Sequence, residues 1–207
     1  MNKVEQTKDG RIYIISETRY PSVTTILGQA KRERMSKDPK FEQMMQEAGD
    51  FGSQFHEYTM ELDKGQSIEK INVDDPVSMV MLCSWADWVK RHIKHWILIE
   101  EVVWSHVLRV AGRLDRVGIF RGDKNPCLID IKTGSENRDD EKQQWVYKRA
   151  VKESKGITVG RCLLAYVSRQ NPGIVRIKEC NMRREAADIK EFGEMVGDFY
   201  NARGDKI

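Results

Sequence analysis

The chain has 207 residues, of which 32% are charged and 40% belong to the hydrophobic set, with a formal net charge of +3. That length holds a core large enough to need no disulfide or metal staples, and the composition is that of a water-soluble globular domain. The charge is too mild to mark a polyanion binder by itself. No apolar run approaches the ~20 residues of a membrane span, and "MNKVEQTKDGR" has no apolar leader segment, so no membrane association and a cytoplasmic setting are expected. The four cysteines form no C-x-x-C pair, which argues for reduced thiols rather than a disulfide framework or zinc site.

The elements are read in chain order. "GRIYIIS" (10–16) predicts a short strand. "YPSVTTIL" (20–27) follows, with Ser22 as N-cap of a helix. Residues 36–65 read as helical, starting from Asp38 as cap and Pro39 in the first turn, with Gly49 and Gly52 dividing them into two helices, the second bearing His56. Residues 74–96 repeat the Asp-then-Pro start, and their apolar positions recur at helical spacing. His92 and His95 on that segment are expected at the surface or in packing. "WILIEEVVWS" (96–105) is β-rich, and 106–120 predict two strands or one bent strand around Gly112. "RGDKNP" is a turn and "CLIDIKT" (127–133) the next strand. A helix over 138–153, strands over 161–169 and 174–180 and an amphipathic helix over 183–203 complete a mixed α/β domain with a central sheet.

Strand alternation puts Leu128, Asp130 and Lys132 on one face and Cys127, Ile129 and Ile131 on the other, core-facing side. An isolated D-x-K reads as an exposed ion pair. Antiparallel pairing about the 121–126 turn would change that by bringing Asp115 to Asp130. Two converging carboxylates repel unless a cation lies between them, and oxygen ligands suit Mg²⁺ or Mn²⁺. His56 becomes a further ligand only if its helix packs at the carboxylate end of the sheet. Gln143 and Tyr147, four apart on one helical face, could present an amide and a phenol to a substrate.

These residues resemble the PD-(D/E)XK nuclease superfamily, in its RecB-like branch. The motifs are G-x-x-x-H (Gly52 to His56), G-x-x-D (Gly112 to Asp115), D-x-K-T (Asp130 to Thr133) and Q-x-x-x-Y (Gln143 to Tyr147), in the family's order. The P-S-V-T of residues 21–24 is similar to exonucleases related to the mitochondrial genome-maintenance enzyme. The resemblance implies a restriction-endonuclease-like core, α-β-β-β-α-β, with a mixed sheet flanked by helices and extra N-terminal helices. It divides one nuclease domain, 1–207, into accessory elements (1–50), core (51–181) and a closing helix (182–207). It implies His56, Asp115, Asp130 and the Ile131 carbonyl as metal ligands, with Asp115, Asp130 and Lys132 catalytic. Lys132 would orient or deprotonate the attacking water. Gln143 and Tyr147 would support the site or the DNA strand.

The activity implied is Mg²⁺- or Mn²⁺-dependent exonuclease action on DNA in repair, recombination or phage DNA processing, with a single-strand-binding or recombination protein as a further partner. The alternatives are an endonuclease or nickase, or a nucleic-acid-binding module that keeps the fold alone. Only Cys162 and Cys180 follow the Q-x-x-x-Y segment, widely separated, so no iron–sulfur cluster is expected, and no Walker motif is present. Arg113, Arg116, Lys148 and Arg149 could track phosphates, and Trp145 is read as a core residue before a base-stacking one.

Overall fold

The computed structural model describes residues 3–7, 10–34 and 39–204. Strands β1 (Lys3–Thr7), β2 (Gly10–Ile15) and β3 (Thr18–Pro21) form a small antiparallel sheet. Helices α1 (Val23–Arg34), α2 (Pro39–Asp63) and α3 (Pro76–His92) follow. Then come β4 (Ile93–Ser105), β5 (Val110–Phe120), β6 (Cys127–Lys132), α4 (Arg138–Lys155), β7 (Arg161–Ser168), β8 (Asn171–Glu179) and α5 (Glu185–Asn201). The last five strands make one sheet in the order β4-β5-β6-β7-β8. Only β6 and β7 run parallel, joined by α4 as the crossover. The protein is a mixed α/β fold whose five-stranded mixed sheet is flanked by helices, and the expected α-β-β-β-α-β order runs from the helices before β4 through β7.

Local chemistry explains the boundaries. Ser22 Oγ accepts the Thr25 N–H at 2.9 Å, the cap expected for α1. Asp75 caps α3 through the Ser78 N–H, with Pro76 at the first position. Asn137 and Asp140 form a reciprocal capping box on α4, and Gly156 closes that helix in the left-handed conformation, φ +71°. The proposed cap Asp38 lies outside the described residues.

Three expectations need correction. Residues 39–63 form one continuous helix, not two. Interior glycine costs about 1 kcal/mol relative to alanine, and the burial of Phe55 and Tyr58 against the sheet outweighs it. Gly52 serves a close approach instead: a Cβ there would stand 3.2 Å from Thr133 Oγ1. Nothing in the structure requires glycine at Gly49. Second, α3 ends at His92 and β4 begins at Ile93, three residues earlier than read, so His92 and His95 lie on different elements, both exposed. Third, neither face of β6 is open. Leu128 packs with α1, α4 and α5, while Cys127, Ile129 and Ile131 pack with α2 and α3. A central strand covered on both faces reads as a continuous apolar run, which makes a carboxylate and an ammonium within it costly unless partnered.

Candidate metal centre

β5 and β6 pair over three positions, Arg116–Ile129, Val117–Leu128 and Gly118–Cys127, in the antiparallel sense expected about the 121–126 turn. Beyond Arg116 the ladder stops. The Asp115 side chain takes over its role: Oδ2 accepts the Ile131 N–H at 2.6 Å. Asp115 is thereby fixed beside Asp130, two buried carboxyl groups where the strands part.

β4 supplies a third acid. Glu100 falls between the ladder pairs Ile99–Arg116 and Glu101–Leu114, facing the same opening as Asp115. Its backbone is left-handed, φ +50°, in the middle of a strand. Such a conformation is costly for a residue with a Cβ and persists where surrounding contacts impose it. On the far side α2 brings His56 to the cluster. His56 Nδ1 lies 3.5 Å from both Glu100 Oε1 and Asp115 Oδ1. One donor atom from each of His56, Glu100 and Asp115 lies within 4.8 Å of the other two, spacing that could hold a metal ion. The set is two carboxylates and an imidazole, suited to a hard or borderline divalent cation.

The electrostatics are those of interleaved acids and bases: burial opposes the Glu100 charge, but His56 and Arg116 hold its carboxyl below the usual carboxylate range. Burial opposes a charged imidazole at His56, yet Asp115 and Glu100 outweigh it and raise the pKa to about 9. Burial is the largest influence on Asp130; with Asp115 adding to it against the pull of Lys132, the carboxyl is pushed up to about 7. Lys132 Nζ lies 2.8 Å from Asp130 Oδ2 and 3.7 Å from Asp140 Oδ1. Burial opposes its charge, but these acids hold its ammonium above the usual lysine range. Gln143 ties the pair together, donating to Asp130 Oδ1 at 3.2 Å and accepting from Lys132 at 3.0 Å.

The structure therefore brings together His56, Asp115, Asp130, Ile131, Lys132 and Gln143. Tyr147 is buried beneath β5, where its hydroxyl faces Gly112. It cannot offer a phenol to a substrate, and its place is that of a support. Arg116 is a clearer correction. Its side chain is 0% exposed, so it cannot track a phosphate. Its guanidinium instead reaches Asp63 at 2.7 Å, Glu100 at 2.8 Å, the Asp115 carbonyl at 2.8 Å and Thr59 at 3.1 Å. It is the buried bracket of the acidic cluster. Arg113 is half exposed and bonds Glu100 Oε2 at 3.1 Å. Lys148 and Arg149 pair with Glu185 and Glu153, and Trp145 is in the core.

No family model matches this chain, and no curated protein matches it. In fold it is similar to a crystal structure from Eubacterium rectale of a protein proposed to be an exonuclease, at 9% identity and a TM-score of 0.49, covering 74% of this chain and 68% of that one. No helix among the described residues is long and apolar enough to cross a membrane.

Glu100 was missed in the sequence. The signal was present: two adjacent acids, Glu100 and Glu101, interrupt the β-rich run 96–105, and alternation sends one of them inward.

Proposed function

We propose that this chain is a divalent-metal-dependent deoxyribonuclease that hydrolyses phosphodiester bonds from a DNA end, with residues 1–207 as one nuclease domain. The observation that carries the reading is the convergence of His56, Glu100 and Asp115 next to buried Asp130 with its partners Lys132 and Gln143. Two carboxylates and an imidazole within reach of one another, with the Asp130 carboxyl beside them, form a donor set that a Mg²⁺ or Mn²⁺ ion would satisfy. Such an ion supplies an acidified water and a Lewis acid for the phosphoryl oxygens.

The chain's own residues do the rest. His56, Glu100 and Asp115 would hold the ion, with Asp130, paired with Lys132 and bonded by Gln143, next to them. In an extended strand the N–H and C=O of one residue project to the same edge. The Ile131 N–H meets Asp115, so its carbonyl faces the same side and is a further ligand in this reading. Lys132, flanked by Asp130 and Asp140, acts as an ammonium that offsets charge developing on the phosphate, rather than as the base. Gln143 fixes the Asp130–Lys132 geometry. Arg113, half exposed beside Glu100, is the arginine that meets a phosphate in this reading.

An end-labelled digestion series tests this: linear and covalently closed circular DNA, single and double stranded, with Mg²⁺, Mn²⁺ or EDTA. Metal-dependent shortening of linear DNA with survival of the circles is expected. Cleavage of circles would replace the exonuclease reading with an endonuclease, and no metal-dependent cleavage of any substrate would remove the nuclease reading.

A further inference from the structure

A cleft of about 1050 Å³ opens where β6 and β7 end, between α2 and the β7–β8 turn. Thr133 and Gly134, the two residues after Lys132, line it, so the cleft begins one residue beyond Lys132. Ligands of open α/β sheets commonly lie beyond the carboxyl ends of parallel strands. Phe51 stands on its α2 wall, beside Gly52 and five residues before His56. From the opposite wall the exposed Arg169 lays its guanidinium over the Phe51 ring, 3.7 Å from the ring centre.

The charges of the cleft separate Arg169 from its neighbours. Glu136 is held by Arg176 and Lys178. Glu47 accepts a hydrogen bond from Gln43. Among the described residues no carboxylate lies within ion-pair distance of Arg169, whose charge acts on Asp75 only through space. It is a planar cation backed by an aromatic ring, facing a cleft that starts at the reacting strand. Planar guanidinium groups and aromatic rings stack on unpaired bases, and the same cation attracts the adjoining phosphate.

We propose that Arg169, supported by Phe51, is a stacking platform for the base of an unpaired DNA nucleotide beside the bond to be cleaved. A volume near the upper end of small-ligand pockets, about 300–1,000 Å³, suits a few unpaired nucleotides. The proposal rests on the nuclease reading for the identity of the strand, and its test does not require cleavage.

The test is fluorescence anisotropy of the full chain in EDTA, with a labelled single-stranded oligonucleotide and the same backbone made abasic. Wild type is expected to bind the base-bearing strand about fivefold or more tightly than the abasic one. Arg169→Gln should lose that preference. Arg169→Lys, which keeps the charge and loses the plane, should lose it too while binding the abasic strand like wild type. Equal wild-type affinity for both strands, no binding of either, or a preference intact in Arg169→Gln would each overturn the platform. Base-dependent binding by a protein that never cleaves DNA would retain the platform and sink the nuclease reading. Metal-dependent cleavage without base dependence would do the reverse.

Discussion

Gly112 lies directly against the hydroxyl of Tyr147: a Cβ added to the glycine would sit 2.6 Å from that oxygen. Two motifs far apart in the chain, G-x-x-D and Q-x-x-x-Y, are thus one packing contact, as Gly52 and Thr133 are another. The Tyr147 ring is buried and cannot swing away cheaply. Gly112→Ala should therefore cost about 1–3 kcal/mol of stability, the usual range for overpacking a core. Urea unfolding of the single variant and of Gly112→Ala with Tyr147→Leu checks this. The double variant should recover part of the loss, and additive effects would deny the contact.

Glu100 gives the second prediction. If it is a ligand, Glu100→Gln should weaken Mn²⁺ binding as much as His56→Ala does, by about tenfold or more, the scale seen when even outer supports of a metal site are removed. Calorimetric titration measures both. Wild-type affinity in Glu100→Gln would exclude it from the ligand set.

Lys132 is assigned a charge and not a ligand role. Lys132→Ala should leave Mn²⁺ binding in place while cleavage falls by about 10²-fold or more, the scale of losing one electrostatic donor to a transition state. Single-turnover digestion at saturating metal gives the answer, and an unimpaired rate would refute the role.

Arg116 should behave as a structural residue. Arg116→Met strips Asp63 and Glu100 of their buried cation, and breaking such a pair from one side costs about 3–5 kcal/mol. Asp63→Asn added to Arg116→Met should cost less than the two single losses summed. A denaturation midpoint unchanged in Arg116→Met would contradict the bracket.

The pH dependence follows from two groups. His56 is raised from 6.5 to about 9, so its contribution to metal-free stability is complete below about 6.5 and is lost as pH climbs through 9. Asp130 is raised from 3.8 to about 7, so its contribution is complete below about 4 and is lost as pH climbs through 7. Both trends run the same way: the metal-free protein loses stability from these groups as pH rises. A bound cation favours the deprotonated forms. Melting temperatures in EDTA and in Mn²⁺ should therefore differ more at pH 8.5 than at pH 6, and a gap that narrows with rising pH would count against the site.

Much of this was readable because it follows from local chemistry. The Asp75–Pro76 start, the cap at Ser22 and the alternation in 127–132 need no tertiary information. Glu100 could not be singled out from Glu101, because β4 carries two irregularities, at Ile93–His95 and Trp96–Leu98, and each shifts the phase of alternation before the acids are reached. The inward turn of Arg116 depends on Asp63, more than fifty residues away on α2. The glycines of α2 read as breakers because propensity is local, whereas the contact that Gly52 permits with Thr133 is not. Strands β1 and β3 went unread since "KVEQT" and "TRYP" carry little apolar signal, and β2 pairs with both.

The Asp115 carboxylate is also a structural hydrogen-bond acceptor, standing where a backbone carbonyl of β5 would otherwise serve the Ile131 amide. One of its oxygens holds the sheet while the other faces His56. The strand carrying Asp130 and Lys132 is thereby tethered to a side chain of the candidate metal centre. An ion bound there would pull on the backbone of β6 if it shifted, and a distortion of β6 would move Asp115. The centre and the sheet form one mechanical unit, with a single carboxyl group as the joint.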